Sequence, residues 1–341
     1  MLKLEAKQLW DVRNDRVLLD VRSPAEYAAG HIPGALNLPL FTDEERARVG
    51  TIYKQIGSEE ATLIGLDLVG LKMGDLVRDA QLLAPDKKVL VHCWRGGKRS
   101  GSLSWLLEMT GFDVAVLTGG YKAYRQYIYK ALESPRSYIV LGGRTGCGKT
   151  EILKSLATMG EQVIDLEGLS HHKGSAFGWI GEEPQPTTEQ FENQLFEIFR
   201  NLDPTRRIWI ENESRKIGTG YLPEAFWRAM KNAPLINLSA PLGERLRHLV
   251  AVYSDENKQD LLHSFNKIAK KLGDKVRPAM EAIEAGEYTK AAEIALYYYD
   301  KTYQFGLENT SSPLILNVET DKIAPESNAR QLLDFVLVNH L

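Results

Sequence analysis

Short apolar runs alternate with helical patterns through roughly the first 130 residues of the chain. The apolar runs predict strands at 17–21, 35–38 and 89–92, and the patterns between them predict helices at 24–29 and 101–109. Strands that alternate with helices are typical of an open α/β layout with a mainly parallel sheet. Turn-forming and charged residues at 133–137 then interrupt the alternation and predict a linker.

A second α/β pattern follows the linker. It predicts strands at 138–141, 163–165, 208–210 and 235–238, and a helix at 151–159. From 241 to 307 the pattern is helical, and a strand at 314–318 precedes a closing helix. We therefore predict an α/β domain over 1–132, a linker over 133–137, a second α/β domain over 138–240, a helical segment over 241–310, and a strand and helix over 311–341 that complete the second domain.

Composition agrees with two soluble domains. At 341 residues the chain exceeds the size at which single cores usually stop growing, about 250 residues. No apolar run approaches the roughly 20 residues that span a bilayer, and the first ten residues lack a signal-peptide pattern. The two cysteines both lie in glycine-rich loops, which favours reduced thiols over a disulfide or a sulfur-ligated metal. We expect a cytoplasmic protein without a membrane segment.

The net charge of −3 gives no global reason to expect nucleic acid, so such binding depends on local patches. One basic stretch lies between 258 and 277, and it is either a solvated helix face or a phosphate-binding patch. Its cations are Lys258, Lys267, Lys270, Lys271, Lys275 and Arg277.

A cysteine follows the buried strand at 89–92 and opens a loop with two glycines before a predicted helix. In such a loop backbone N–H groups converge, and they both lower a thiol pKa and bind anions. Arg95, Lys98 and Arg99 add positive charge, which favours the thiolate and holds phosphate. We therefore interpret Cys93 as a reactive thiolate, and the neighbouring His92 as a packed residue.

Two families share this loop. The spacing from Cys93 to Arg99-Ser100 is that of cysteine-dependent phosphatases, and rhodaneses, which carry sulfur as a persulfide, have a similar loop. The segments 20–37 and 111–124 resemble the N-terminal and C-terminal rhodanese patterns. This resemblance implies a rhodanese-like domain over 1–132, while the Cdc25 phosphatases, which share that fold, remain an alternative. In a rhodanese-like fold we expect Asp20, Arg22 and Glu26 to have a structural role and to brace the polypeptide.

The second domain contains the P-loop motif, a glycine followed by four residues and then by Gly-Lys-Thr. The motif lies between a predicted strand and a predicted helix. Its glycines let backbone N–H groups wrap a diphosphate, the lysine reaches the outer oxygens, and the threonine hydroxyl is suited to Mg²⁺. The phosphate-binding residues of this loop are Gly143, Gly146, Gly148, Lys149 and Thr150.

Carboxylates follow two neighbouring strands of the same domain. Asp165 and Glu167 come after one strand, and Glu211 and Glu213 after another. Open α/β sheets bind ligands at the carboxyl ends of their strands. These side chains are candidates to hold metal-bound water or a substrate amine, and ordinary polar loop chemistry is the alternative.

The two loops in this order, together with the segments 166–178 and 210–218, resemble the tRNA 2-selenouridine synthase family. The resemblance spans most of the chain and implies a transferase that modifies the wobble uridine of tRNA. It implies two steps, in which geranyl diphosphate alkylates the sulfur of 2-thiouridine and selenophosphate then supplies selenium to replace that sulfur. Alkylation turns the sulfur of 2-thiouridine, which is a poor leaving group, into one that departs as a thiolate.

The resemblance also suggests roles for the two loops. Cys93 would carry selenium as a selenyl-cysteine, with Arg95 and Arg99 holding the phosphate of selenophosphate. The P-loop would bind geranyl diphosphate rather than a hydrolysed nucleotide, since neither step formally needs ATP. No tightly bound cofactor is expected, with Mg²⁺ on Thr150 left open. The expected partner is tRNA, and an enzyme that supplies selenophosphate is a further candidate.

Further candidates for the substrate site lie near the strand ends and in the segments of the resemblance. They are Asp165, Glu167, His171, His172, Lys173, Phe177, Trp179, Glu211, Glu213, Arg215 and Lys216. The apolar part of this set is either a prenyl-binding surface or plain core. Two rival functions remain at this stage, a phosphatase with a regulatory nucleotide-binding domain and a non-enzymatic binding module on a nucleotide switch.

Overall fold

The structure is a computed structural model that describes all 341 residues. It divides into two compact units, unit 1 (residues 1–131) and unit 2 (residues 132–341). Each unit has a five-stranded sheet in which every pair of strands is parallel. The predicted α/β class is therefore confirmed. None of the helices has the length and apolar content that crossing a membrane requires.

Unit 1 is built around a central buried strand. Its strands are β1 (Leu2–Leu4), β2 (Val17–Asp20), β3 (Leu36–Asn37), β4 (Lys88–His92) and β5 (Asp113–Leu117). They are arranged in the order β1-β5-β4-β2-β3, so that β4 lies in the middle. Four of the five residues of β4 are buried, and the strand therefore ends in a fixed position below the loop that follows it.

Helices cover this sheet, and the three between β3 and β4 are absent from the sequence prediction. The helices are α1 (Leu9–Val12), α2 (Pro24–Ala29), α3 (Asp43–Gln55), α4 (Ser58–Gly70), α5 (Met73–Leu83), α6 (Lys98–Met109) and α7 (Gly120–Leu132), with a 3₁₀ turn at Ala6–Gln8. No residue of α3 is fully buried and only Ala61 and Gly65 of α4 are. Because α3 and α4 bury so few residues, apolar residues do not recur along them at a clear helical period.

Unit 2 has the same central arrangement. Its strands are β6 (Tyr138–Gly143), β7 (Gln162–Ile164), β8 (Ile208–Glu211), β9 (Lys216–Ile217), β10 (Gly220–Tyr221), β11 (Leu235–Ser239) and β12 (Ile315–Glu319). The main sheet has the order β12-β11-β6-β8-β7, and β9 and β10 form a small antiparallel ladder. All six residues of the middle strand, β6, are buried. The strand predicted at 314–318 is confirmed as β12, which pairs with β11.

The helices of unit 2 form two groups. They are α8 (Lys149–Thr158), α9 (Leu166–Ser170), α10 (Thr188–Asn201), α11 (Glu224–Lys231), α12 (Leu242–Tyr253), α13 (Lys258–Lys267), α14 (Ala269–Leu272), α15 (Val276–Ala285), α16 (Tyr288–Glu308) and α17 (Pro325–Val338), with a 3₁₀ turn at Gly273–Lys275. One core lies between the sheet, α8 and α17. A separate helical core joins α13, α15 and α16 to Phe177 and Ile180.

Candidate functional site

The cysteine loop of unit 1 begins directly after β4 and ends where α6 begins. Cys93 is only 3% exposed, and its Sγ lies 3.3 Å from the Ser100 hydroxyl. A Cβ at Gly96, whose φ is +63°, would lie 2.8 Å from the Leu117 carbonyl oxygen. A glycine is therefore required at this position, because only glycine allows the loop to turn this closely against β5.

The surroundings of Cys93 favour its thiolate. Burial raises the pKa of this thiol, but hydrogen bonds from the Ser100 hydroxyl and from the backbone N–H groups of Ser100, Arg95 and Gly97 outweigh burial. The net result is a pKa below the ordinary value of a cysteine. A stabilised thiolate is the form that acts as a nucleophile, so the loop has the electrostatics of a reactive site.

The cations around the cysteine loop differ in their partners. Arg99 donates to the Glu26 carboxylate, and Arg46 contacts the same carboxylate at 3.3 Å. Lys98 donates to the Thr62 hydroxyl at 2.8 Å, and Arg95 is exposed. Glu26 therefore offsets the charge of Arg99, and Arg95 is the more accessible of the two arginines named from the sequence.

Below the loop, Asp20 and Arg22 form a buried ion pair, as expected for residues that brace the chain. The guanidinium Nη2 lies 2.6 Å from Asp20 Oδ2 and also donates to the Gly30 carbonyl. The same guanidinium lies 3.9 Å from the centre of the Tyr121 ring. His92 is fully buried, and burial lowers its pKa. These residues support the loop from beneath and do not open onto a cavity.

The P-loop of unit 2 connects β6 to α8. Gly143 has a φ of +151°, and a Cβ there would lie 2.7 Å from the Leu238 carbonyl oxygen of β11. Lys149 is the first residue of α8, and its Nζ donates to the Gly143 carbonyl at 3.0 Å. Backbone N–H groups at such a helix start and loop are suited to bind an anion.

A buried arginine fixes the P-loop from the side away from the sheet. Arg245 of α12 donates through Nε to the Thr145 carbonyl at 2.9 Å. Its other two nitrogens contact the Asp300 carboxylate at 2.9 and 2.6 Å. Cys147, the second cysteine, is 1% exposed, and burial raises the pKa of its thiol. It is therefore a core residue of the loop and a poor nucleophile.

Four carboxyl groups lie at the ends of β7 and β8 beside the P-loop. Glu167 accepts from the Thr150 hydroxyl at 2.9 Å and shares a hydrogen bond with Glu213. Asp165 accepts from the Gly168 N–H as the cap of α9, and Glu211 accepts from the Leu166 N–H at 3.0 Å. The predicted convergence of these side chains at the strand ends is thus present in the structure.

Burial and neighbouring carboxylates raise the pKa values of three of these carboxyl groups. Burial raises the pKa of Glu213 to about 8, with the charge of Glu167 acting in the same direction. Burial also raises the pKa of Glu167, and it raises the pKa of Glu211 well above its ordinary value. The Glu167 and Glu213 pair therefore holds a proton at neutral pH, beside the ammonium group of Lys149.

A cavity of about 400 Å³ extends from the P-loop into the helical part of unit 2. Its polar end has Lys149, Thr150, Glu167 and Glu213. Its apolar end is formed by side chains of α12, α13, α15 and α16, including Tyr253, Leu261, Phe265, Ile283, Ala291 and Tyr299. Sequence reasoning missed these residues, because inward-facing positions on four separate helices have no common motif.

The substrate-site candidates fall into two groups. Asp165, Glu167, Lys173, Phe177 and Glu213 line the cavity with the P-loop. His171, His172, Trp179, Glu211, Arg215 and Lys216 do not line it. Of these, Glu211 and His172 are buried, Trp179 donates to the Ser264 hydroxyl, and Arg215 pairs with Glu224 at 3.5 Å.

Comparison with protein families agrees with the division into two units. The family described as the tRNA 2-selenouridine synthase AAA domain matches residues 136–331. The family described as the rhodanese-like domain matches residues 5–127. The chain thus contains both parts that the resemblance implied, in the same order.

Relatives named tRNA 2-selenouridine synthase are similar over most of the chain. One from Sulfurovum sp. is 34% identical over 92% of this chain and 94% of its own length. One from Pseudomonas fluorescens is 33% identical over 87% of this chain and 90% of its own. One from Nitrosomonas europaea is 37% identical, over 70% of this chain and 64% of its own length.

The raised pKa of Glu213 has a consequence for stability. Because the folded state holds this proton more tightly than the unfolded chain does, the free energy of unfolding should fall as the pH rises from about 5 to about 8. In Glu213→Gln this fall should be shallower, since the amide does not ionise. Denaturant unfolding across this pH range measures the effect.

Glu284 provides a matched control for this experiment, because it is exposed on α15. Glu284→Gln should leave the pH dependence of the wild-type protein unchanged. Identical pH dependence in Glu213→Gln and the wild-type protein would show that Glu213 ionises normally.

Proposed function

The chain belongs to the tRNA 2-selenouridine synthase family, and we propose that it makes 2-selenouridine in two steps, each using one of the two loops. As a member of this family it is an enzyme that transfers selenium in tRNA modification, and tRNA is its substrate. In the first step the sulfur of 2-thiouridine is alkylated by geranyl diphosphate. In the second, selenium from selenophosphate replaces the geranylated sulfur at C2.

The observation that carries this proposal is the two-ended cavity of unit 2. Geranyl diphosphate is a charged diphosphate attached to an apolar ten-carbon chain. The P-loop end of the cavity offers backbone N–H groups and Lys149 to the diphosphate, and the far end offers Leu261, Phe265 and Ile283 to the chain. One cavity therefore matches both halves of the donor.

In this arrangement the chain's own residues assist the transfer. As the sulfur bonds to C1 of the geranyl group, the C1–O bond breaks and its electrons go to the diphosphate. Lys149 stabilises the charge that develops on that leaving group. S-alkylation also releases the proton from N3 of the base, and this proton passes to water.

Mg²⁺ fits the polar end of this cavity by the chemistry of its donors. The Thr150 hydroxyl and a Glu167 carboxylate oxygen lie 2.9 Å apart, and both are hard oxygen ligands. These two residues would hold the ion, which would supply positive charge to the diphosphate.

A selenyl-cysteine formed from selenophosphate would need a two-electron oxidant, because the selenium of selenophosphate is at the oxidation level of selenide. We therefore assign the second step to Cys93 as a nucleophile: its thiolate attacks phosphorus, the P–Se bond breaks, and the electrons leave with selenium as selenide, which adds to C2 and expels the geranylated sulfur. Cys93 is regenerated when water hydrolyses its phosphocysteine. Its lowered pKa and the convergent N–H groups of its loop support this role. Arg95 is exposed next to it and is suited to bind the phosphate of selenophosphate, with Arg99 nearby on the first turn of α6. Alkylation in the first step makes the sulfur a leaving group that departs as a thiolate.

Replacement of Cys93 by alanine should separate the two steps. Formation of 2-selenouridine should fall at least about a hundredfold, because the nucleophile that releases selenium from selenophosphate is removed, while geranylation should continue at the wild-type rate. Mass analysis of wobble nucleosides, after incubation of 2-thiouridine tRNA with each donor separately and together, measures both products.

Cys147→Ala is the matched control, because it removes the only other thiol of the chain. It should still convert tRNA that already carries S-geranyl-2-thiouridine. Undiminished selenation by Cys93→Ala would exclude this role of Cys93.

Lys149→Ala should weaken binding of geranyl diphosphate about tenfold to a hundredfold, since it removes a charge-assisted hydrogen bond to the diphosphate. Titration calorimetry measures the affinity, and the geranylation rate should fall with it. Lys154→Ala, an exposed lysine on the same helix and at the same cavity, should have a much smaller effect.

A different ligand at the P-loop would contradict this assignment. Tight binding of ATP, with hydrolysis coupled to selenation, would show that the loop serves a nucleotide instead.

We further propose that the basic stretch at 258–277 contacts tRNA phosphates. All six of its cations are exposed. Lys267 lies 4.9 Å from the centre of the Trp179 ring, Lys271 lies 5.4 Å from that of Tyr298, and Lys275 lies 3.4 Å from that of Tyr297. Cations interleaved with aromatic rings suit a flexible nucleic acid, because the rings stack on bases while the cations bind phosphates.

Reversal of two charges in this stretch, Lys270→Glu with Lys271→Glu, should weaken tRNA binding at low salt. The slope of log affinity against log salt should also become shallower, by about 1 for each phosphate that the protein no longer neutralises. Fluorescence titration at several salt concentrations measures both. Arg228→Glu, an exposed charge reversal on α11, is the control, and an equal weakening in it would remove the stretch from the tRNA surface.

A further inference from the structure

A second cavity, of about 740 Å³, lies in unit 1 beside Cys93. Its walls come from the loop after β3 and from α3 and α4, the helices that the sequence did not predict. The apolar side chains that line it are Leu40, Phe41, Val49, Tyr53, Leu66 and Val69. A volume of this size is within the range of small-molecule sites, about 300–1,000 Å³.

The cavity has an apolar end and a reactive end. Cys93, Arg95 and Lys98 line it on the side of the cysteine loop. Tyr53 and Leu66, which also line it, are 62% and 58% exposed. Large apolar side chains grouped and exposed in this way mark an interaction surface, and a concave one is suited to a ligand.

We propose that this cavity binds the geranyl chain of S-geranyl-2-thiouridine while selenium replaces the sulfur at C2. The inference rests on the two-step function proposed above, in which the geranylated base must reach the selenium that is released beside Cys93. The geranyl chain is attached to the leaving sulfur, so it extends from the reaction centre into the space next to Cys93. In this structure an apolar cavity lies there.

The groups around the cavity suit the alkylated base and a separate selenium donor. Arg46 and Arg99 both contact the Glu26 carboxylate, whose single negative charge offsets part of theirs. No P-loop lies at this cavity, whereas the cavity of unit 2 has one. The other cations that line the cavity are Lys54, Arg95 and Lys98, and the two in the cysteine loop, Arg95 and Lys98, suit the phosphate group of the selenium donor. The geranylated base carries no diphosphate and needs only the apolar wall.

This proposal predicts that selenation depends on the length of the alkyl group. The substrates are tRNAs that carry S-geranyl-2-thiouridine or S-methyl-2-thiouridine, each with selenophosphate. In Leu66→Glu the KM for the S-geranyl tRNA should rise on the order of tenfold or more, because each buried methylene contributes about fourfold in affinity. The KM for the S-methyl tRNA, which has no chain to bury, should be unchanged.

Leu63 provides a matched control on the same helix. It is 53% exposed, close to the value for Leu66, but it does not line the cavity. Leu63→Glu should leave both KM values at the wild-type level. Retained turnover of the S-methyl tRNA by Leu66→Glu shows that this variant is folded.

Three results would overturn the inference, and they have different meanings. In Leu66→Glu, an equal change in the KM values for the two tRNAs, or no change in either, would show that the cavity does not hold the geranyl chain. Impaired transfer from geranyl diphosphate to 2-thiouridine tRNA would assign the cavity to the donor. If the wild-type protein does not convert the S-geranyl tRNA at all, the two-step function itself is wrong.

Discussion

Both loops depend on backbone N–H groups that converge at the carboxyl end of a buried parallel strand. In each unit the loop follows the middle strand of five, β4 in one and β6 in the other. Strands on both sides hold the position of that end, so the N–H groups have a fixed direction before any ligand arrives. In unit 1 they act on the Cys93 sulfur and lower its pKa, and in unit 2 they face a phosphate-sized space.

The two loops differ in the charges that surround them. At the cysteine loop, cations predominate, and Glu26 offsets part of the charge of Arg46 and Arg99. At the P-loop, Lys149 lies among a group of carboxyl side chains. A diphosphate would be repelled by that group if all its members were ionised. Because burial raises the pKa values of Glu167, Glu211 and Glu213, the site carries less negative charge at neutral pH than its composition indicates.

The sequence predicts the loops and strands well, because their signals are local. A short apolar run followed by glycines and a cysteine or lysine is recognised without knowledge of distant residues. The bounds of β2, β4, β6 and β8 lie within about two residues of the predicted strands. The apolar ends of both cavities were not predicted. They consist of single side chains from several helices, such as Phe41 and Leu66 in unit 1 and Tyr253 and Phe265 in unit 2, and only tertiary packing brings these together.

The helices outside the motifs therefore determine what the loops act on. A cysteine loop on this sheet is suited to sulfur, phosphate or selenium chemistry, and a P-loop to many phosphorylated ligands. In unit 1, α3 and α4 add an apolar wall beside the thiol, and in unit 2, α12 to α16 add one beside the phosphate cradle. In the proposed two-step reaction, an apolar chain attached first to a diphosphate and then to a sulfur needs such a wall at both stages. Each wall lies next to a different reactive loop.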